Sequence, residues 1–318
     1  MPDLLAPTPT TALVQSDAVA ELPRGMAAVT RPVSDGARRA VYGAVPMRAS
    51  VFHGLDVDLP IAGPSTTVAT VHDLSVIDMP SASSRFRAAG ENVLVRRSLR
   101  RADVLIAVSA FTAERIHAVT GRDAHVVELA PAGWARPPSQ ADVDRVRAAH
   151  RLPGEFVLQV GTVEPRKNVA LVAAAADELG IPCVLAGAGS TGPDAPASAI
   201  GLGYVDVADL PALYAAATVT AYASYYEGYG LPPVEAMACG GAVVASAVGA
   251  LPEVVGDGAR LVATDDVADW VAAMAPLVHD PSARAELCRA AISVMATVTW
   301  ERTARATVDV YRAAGICP

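Results

Sequence analysis

Two clusters in the second half of the chain have the residue types and spacing to hold an anionic ligand. The first is Gly161-Thr162-Val163-Glu164-Pro165-Arg166-Lys167-Asn168, directly after the apolar run 156–160 that reads as a strand. A glycine at a strand's end lets a ligand approach the backbone. Adjacent cations at such a place can neutralise a diphosphate, Arg through its planar fork and Lys as a point charge. A bare Arg-Lys pair is more often a solvated surface feature; the preceding strand and the glycine favour binding. Lys167 is also the one lysine among 25 basic residues, a hint that an ammonium is wanted there.

The second cluster is Glu227-Gly228-Tyr229-Gly230-Leu231-Pro232-Pro233-Val234-Glu235, followed by Ala236 to Gly241. Pro232 suits the first turn of a helix, and Gly240 and Gly241 suit its end. The N–H groups of Gly230 and Leu231 would then point outward at the positive end, which is an anion site. Glu235 is expected in the first turn, where it can accept two hydrogen bonds from a ribose diol. Glu227 is expected in the loop ahead, free to reach a sugar hydroxyl. The plainer alternative makes Glu235 a dipole partner, worth about 0.3–1 kcal/mol, and Glu227 a solvated loop acid.

In the first half, His72 follows the run 67–71 and could hydrogen-bond a reacting sugar or shuttle a proton. A structural histidine held by Asp73 competes with that role, and His53-Gly54 is a weaker version of the same pattern. Ser109 is expected mainly to cap the helix that follows it. Arg85, Arg87, Arg96, Arg97, Arg100 and Arg101 face a single Glu91. Arg96 with Arg100, and Arg97 with Arg101, repel at i,i+4 unless an anion is near. A solvated helix face explains them, and so does a patch for an anionic acceptor or phospholipid surface.

The elements that must position these residues alternate. Runs at 51–53, 67–71, 103–108 and 125–128 read as strands, with helices at 85–101 and 110–119 between them. After a proline-rich break and a polar helix at 141–150, strands at 156–160, 183–187, 218–222 and 242–245 alternate with helices at 169–179, 209–217 and 232–239. Helices at 266–279, 282–296 and 301–313 close the chain. Apolar strands alternating with helices make parallel sheets covered on both faces. Two doubly wound units follow, with ligands at the carboxyl ends of the strands. Residues 1–50 show no strand and glycine-rich loop.

Composition narrows the classes. A length of 318 residues with 52% hydrophobic residues suits two domains with their own cores. The net charge of −8 is concentrated after residue 150, which argues against nucleic-acid binding. Four scattered cysteines form no Cys-x-x-Cys pair and suit free thiols in a reducing cytoplasm. No apolar run is long enough to span a bilayer, and the first residues lack a basic leader.

Together, His72-Asp73-Leu74, Arg101-Ala102-Asp103 through Ser109, Gly161–Asn168, Gly203-Tyr204-Val205, Leu213–Ala217, Glu227 with Glu235, Leu251–Gly256 and Thr299-Trp300-Glu301 carry a resemblance to the retaining glycosyltransferases of family 4. The resemblance covers about residues 51–315. It implies the GT-B architecture: two Rossmann-like domains with a cleft between them. Residues 1–150 would form a shortened acceptor-side domain and 151–299 the nucleotide-sugar domain, and 300–318 would cross back to brace the first. It also implies a metal-independent hexosyl transfer with retention, without a cofactor. Arg166 and Lys167 would hold the donor diphosphate with the N–H groups of Gly230 and Leu231, near Gly161. Glu235 would bind the ribose, Glu227 the donor sugar, and His72 would face the reacting carbon. The donor is expected to be GDP-linked, mannosyl favoured, with UDP-linked sugars next. The acceptor would be a glycan, a lipid-linked or a small-molecule hydroxyl. A cytoplasmic protein is expected, with peripheral membrane contact through Arg85–Arg101. The competing readings are a catalytically impaired nucleotide-sugar-binding homologue acting as a subunit or regulator, and a nucleotide-sugar epimerase.

Overall fold

Short apolar strands and intervening helices build two parallel sheets. The computed structural model describes residues 9–33, 45–57, 59–79 and 85–316, without the side chains of residues 85–91 and 94. The chain divides into two units: Met1–Glu128 with Trp300–Pro318, and Leu129–Thr299.

The first unit begins with β1 (Thr11–Gln15) and β2 (Ala27–Arg31), which pair in parallel as a separate two-stranded sheet. The expectation that residues 1–50 hold no strand is therefore corrected. TALVQ and AAVTR mix Thr, Gln and Arg with their apolar residues in text rich in Pro and Thr, so no apolar run stands out. A four-stranded parallel sheet follows in the order β3 (Val51–Gly54), β4 (Thr66–Val71), β5 (Val104–Ala107), β6 (His125–Val126). Its helices are α1 (Ser75–Asp78), α2 (Arg85–Arg101) and α3 (Ala110–Thr120). The Ser109 side chain accepts from Thr112 N at the start of α3, and Gly121, in the left-handed region, closes it. The capping role expected of Ser109 is what the structure shows.

The second unit starts earlier than residue 151. The helix α4 (Gln140–Ala149) packs against a helix of that unit, and Arg147 donates to Ala216 O at 2.6 Å. Residues 129–150 therefore belong here, which corrects the boundary placed at the Leu152-Pro153-Gly154 turn. The helix after β6 lies past the break, so the turn signal marks a turn inside the unit.

The unit continues with β7 (Val157–Val160), α5 (Val169–Glu178), β8 (Cys183–Ala186), β9 (Ile200–Gly201), α6 (Leu210–Ala216), β10 (Val219–Tyr222), α7 (Leu231–Ala238), β11 (Val243–Ser246), α8 (Leu251–Val255), β12 (Arg260–Val262), α9 (Val267–His279) and α10 (Pro281–Met295). All six strands are parallel, in the order β12-β11-β10-β7-β8-β9. Residues of β7, β8, β10 and β11 are buried on both faces. One face packs Val157, Val219, Val244, Val172, Trp270 and Leu277 into a single core. The strand order reverses between β7 and β10, so a crevice opens beyond their carboxyl ends.

The last helix, α11 (Trp300–Ala313), returns to the first unit. Val310, Tyr311 and Ile316 pack with Val68, Ile106 and Val127. Beneath them His53 makes a hydrogen bond through Nδ1 to the Tyr311 hydroxyl (2.5 Å) and through Nε2 to Thr70 Oγ1 (2.8 Å). Burial holds the His53 imidazole down to about 4, so the ring is neutral, with one nitrogen donating and the other accepting.

Candidate functional site

The reversal point is where the two charged clusters meet. Gly161 ends β7 with φ +140°. Its N–H donates to Ala186 O at 2.8 Å. A Cβ on Gly187 would lie 2.4 Å from Gly161 O, so the loops after β7 and β8 touch only because that residue is glycine. Beyond Gly161, Pro165–Lys167 form one 3-10 turn. Asn168 then takes a left-handed conformation, φ 45° and ψ 46°, and leads into α5, a conformation Asn tolerates better than most residues. The turn is pinned to the loop after β10, where Tyr225 N donates to Arg166 O at 2.9 Å.

The turn brings both cations onto Glu227. Lys167 Nζ lies 2.6 Å from Glu227 Oε1, and Arg166 Nη1 lies 3.4 Å from Oε2. Arg166 also donates to Tyr226 O (2.8 Å) and to Glu164 Oε1 (2.8 Å). Lys167 is 8% exposed and Glu227 6%. Glu227 is therefore not the solvated loop acid of the plainer alternative, nor is it free as expected, being paired with both cations. Its carboxylate is buried and paired, because a charge in this position needs a partner.

Three residues that the sequence reading missed hold Glu227 in place. Ser224 Oγ donates to Oε1 at 2.7 Å. Ser246 Oγ donates to Ser224 O (2.8 Å) and Tyr222 O (3.1 Å). Ala250 N donates to Glu227 O (2.9 Å), and a Cβ on Gly249 would lie 2.3 Å from that same oxygen. The available signal was a small hydroxyl residue two positions after β10, three before the acid.

Gly230, with φ +100°, starts α7. Pro232 and Pro233 carry no N–H, and Val234 N already donates to Gly230 O (3.3 Å). Gly230 and Leu231 therefore supply the N–H donors at this helix end. Glu235 is the fifth residue of α7, with no acidic residue in the first turn. This corrects the first-turn expectation: the helix starts at Leu231, one turn ahead of the acid, and the dipole-partner alternative fails with it. Desolvation pushes the half-buried Glu235 up to about 7. Burial raises the Tyr222 phenol well above its ordinary range, with Tyr214, Glu235 and Glu227 adding to the rise. Both acids thus act on one buried phenol at the end of β10, across from β7.

Arg166, Lys167 and Glu227 are brought together here; Gly161 follows β7, and Gly230, Leu231 and Glu235 lie at the cap and in the first five residues of α7, in the segment after β10. His72 lies in the first unit. It is exposed, with Nε2 hydrogen-bonded to Leu55 O at 2.8 Å. Asp73 does not hold it; its Oδ1 accepts from Ser75 N (2.9 Å) and Ser75 Oγ (2.6 Å). On α2, Arg96 donates to Asn92 and Arg101 to Ile61 O, while Arg97 and Arg100 are exposed. The side chains of Arg85, Arg87 and Glu91 lie outside the described residues. Among the described residues no cluster of three His, Cys, Asp or Glu is placed to hold a metal ion, and no helix is long and apolar enough to cross a membrane.

Known proteins resemble most of this chain. Residues 141–294 match the family described as glycosyl transferases group 1. The O-antigen chain mannosyltransferase B of Escherichia coli is 30% identical over 295 residues, spanning 86% of this chain and 77% of its own. The D-inositol 3-phosphate glycosyltransferase of Mycolicibacterium paratuberculosis is 33% identical over 286 residues, 80% of this chain. The chain spans 62% of that relative's length. Among solved structures, sucrose-phosphate synthase from Thermosynechococcus elongatus superposes with a TM-score of 0.66 at 26% identity, over 80% of this chain and 69% of that one. The Anabaena protein Alr3699/HepE in complex with UDP-glucose gives 0.65 at 20% identity, over 79% and 72%, a likeness of fold.

Proposed function

The chain belongs to the group 1 glycosyl transferases, and we propose that it moves a hexosyl group from a nucleotide-diphosphate sugar to an acceptor hydroxyl with retention of configuration. The observation that carries this is the convergence of Arg166, Lys167 and Glu227 at the strand-order reversal of the second unit. Arg166, Lys167 and the N–H groups of Gly230 and Leu231 meet the diphosphate. Glu235 accepts from the ribose hydroxyls, and Glu227 contacts the donor sugar. His72 is assigned to the reacting sugar from the first unit.

In this reaction the bond from the anomeric carbon to the diphosphate oxygen breaks, leaving an oxocarbenium-like sugar. The acceptor oxygen attacks from the same face, and its proton passes to the departing diphosphate. The charge that grows on the leaving oxygen is met by preorganised cations and amides, which stabilise the transition state more than the ground state. Those groups suffice without a metal ion or cofactor. The donor we favour is GDP-linked mannose, its mannosyl part supported by the mannosyltransferase relatives; a UDP-linked donor is the next choice. The basic residues of α2 suit a phosphate-bearing acceptor or the inner surface of a membrane, which fits a cytoplasmic enzyme.

The test is incubation with GDP-mannose and UDP-glucose over a panel of glycan, lipid-linked and small-molecule acceptors. Nucleotide release is read together with the anomeric configuration of the product by NMR. An acceptor-dependent product of retained configuration is expected. Donor binding without any product would identify a catalytically impaired homologue, and an altered sugar without acceptor would identify an epimerase.

A further inference from the structure

Both cations have carboxylate partners within the protein. Lys167 meets Glu227 at 2.6 Å, and Arg166 divides between Glu227 at 3.4 Å and Glu164 at 2.8 Å. Two cations against two acids make a near-neutral cluster, whereas an anion-binding site needs an excess of positive charge. A diphosphate entering beside Lys167 would also find the Glu227 carboxylate at the same ammonium, and two anions at that distance repel. Moving the carboxylate away removes that repulsion.

We infer that Glu227 is the resting counter-ion of Lys167 and Arg166, positioned by the Ser224 hydroxyl, and that a nucleoside diphosphate binds by taking its place. This rests on the proposed function and deepens it. Ser224 is the positioning residue: its hydroxyl donates to the same Oε1 that Lys167 meets, at 2.7 Å. Ser246 fixes the Ser224 carbonyl in turn, at 2.8 Å. The displaced carboxylate is then released near the donor sugar, so diphosphate binding and sugar recognition are coupled through one side chain. The pairing also keeps the buried ammonium neutralised, which avoids the cost of an unpaired buried charge.

The exchange and a merely structural ion pair make opposite forecasts. Glu227→Gln removes the competitor but leaves Lys167 without an ionic partner. Exchange therefore expects a lower Tm together with tighter binding of UDP or GDP, by about tenfold or more. A structural pair expects a lower Tm with equal or weaker binding. Ser224→Ala is the second variant should Glu227→Gln fail to fold; losing one hydrogen bond to a carboxylate should tighten diphosphate binding by about tenfold. The experiment is calorimetry of the full chain with UDP and with GDP for wild type and both variants. Tighter binding in either folded variant supports the exchange. Equal or weaker binding in the folded variants overturns it while leaving the donor site standing. No binding of either diphosphate by wild type overturns the donor site and the exchange together.

Discussion

Removing Lys167 should separate two effects that the site combines. Lys167→Ala strips the buried Glu227 of its nearest partner, and breaking such a pair costs about 3–5 kcal/mol. The molecules that remain folded should also lose transfer by about 10²-fold or more, by analogy with a lost oxyanion donor. Denaturant unfolding reads the first effect, and kcat/KM the second. Glu235 makes a different forecast. Its folded-state value is raised to about 7 from 4.5 by desolvation, so between these values the folded state holds more protons than the unfolded one. The group's stabilising contribution is complete below pH 4.5 and is lost as pH rises through 7. Glu235→Gln should therefore raise Tm at pH 8 and leave it unchanged near pH 4.5, as thermal melts would show. A carboxylate that accepts from a ribose diol must be ionised. Nucleotide binding below pH 7 should then release a proton, measurable by calorimetry in buffers of different ionisation enthalpy. No proton release would remove Glu235 from the ribose contact.

At the scale of elements, the site depends on three loops brought together by strand order. Glycine matters at two of their contacts: Gly187 against Gly161 O, and Gly249 against Glu227 O, with φ +129° and +57°. Gly249→Ala would push a Cβ into backbone that cannot retreat, in a conformation an L side chain rarely adopts. The loop should loosen and Tm should fall while far-ultraviolet circular dichroism stays the same. An unchanged Tm would show that the third loop does not set Glu227. The main strands and helices were legible because their apolar runs are long and bounded by turn residues. Strands β1, β2, β9 and β12, of five, five, two and three residues, were not. β1 and β2 interleave polar with apolar residues, and β9 and β12 are edge strands with Gly201 and Arg260 among their few residues, so none presents an apolar run. Residue types and their order marked Arg166, Lys167, Glu227 and Glu235. Their pairing could not be read, because Lys167 and Glu227 lie 60 positions apart and meet only through the reversal between β7 and β10.

At the scale of the whole molecule, the chain's last helix belongs to its first unit. Val310, Tyr311 and Ile316 cover Val68, Ile106 and Val127, and His53 bonds both Thr70 and Tyr311. With the imidazole held at about 4 by burial, its contribution to stability is complete above pH 6.5 and is lost as pH falls toward 4. Acid should thus loosen the first unit across that window, and Tyr311→Phe, by leaving a buried ring nitrogen without its partner, should lower stability by about 1–3 kcal/mol. Melting followed at pH 7 and pH 5 would show both. The second unit holds the cations, the helix end and both acids within Leu129–Thr299, so donor binding should survive changes confined to the first unit. The most direct measurement is therefore a thermal-shift panel of UDP, GDP and their sugars on wild type and Arg166→Ala. A ligand at 100 times its Kd adds about 2.7 kcal/mol, so at least one nucleotide should raise the wild-type Tm clearly and the variant's far less. A panel in which no nucleotide moves the wild type, or in which Arg166→Ala responds equally, would contradict a diphosphate site at the ends of β7 and β10.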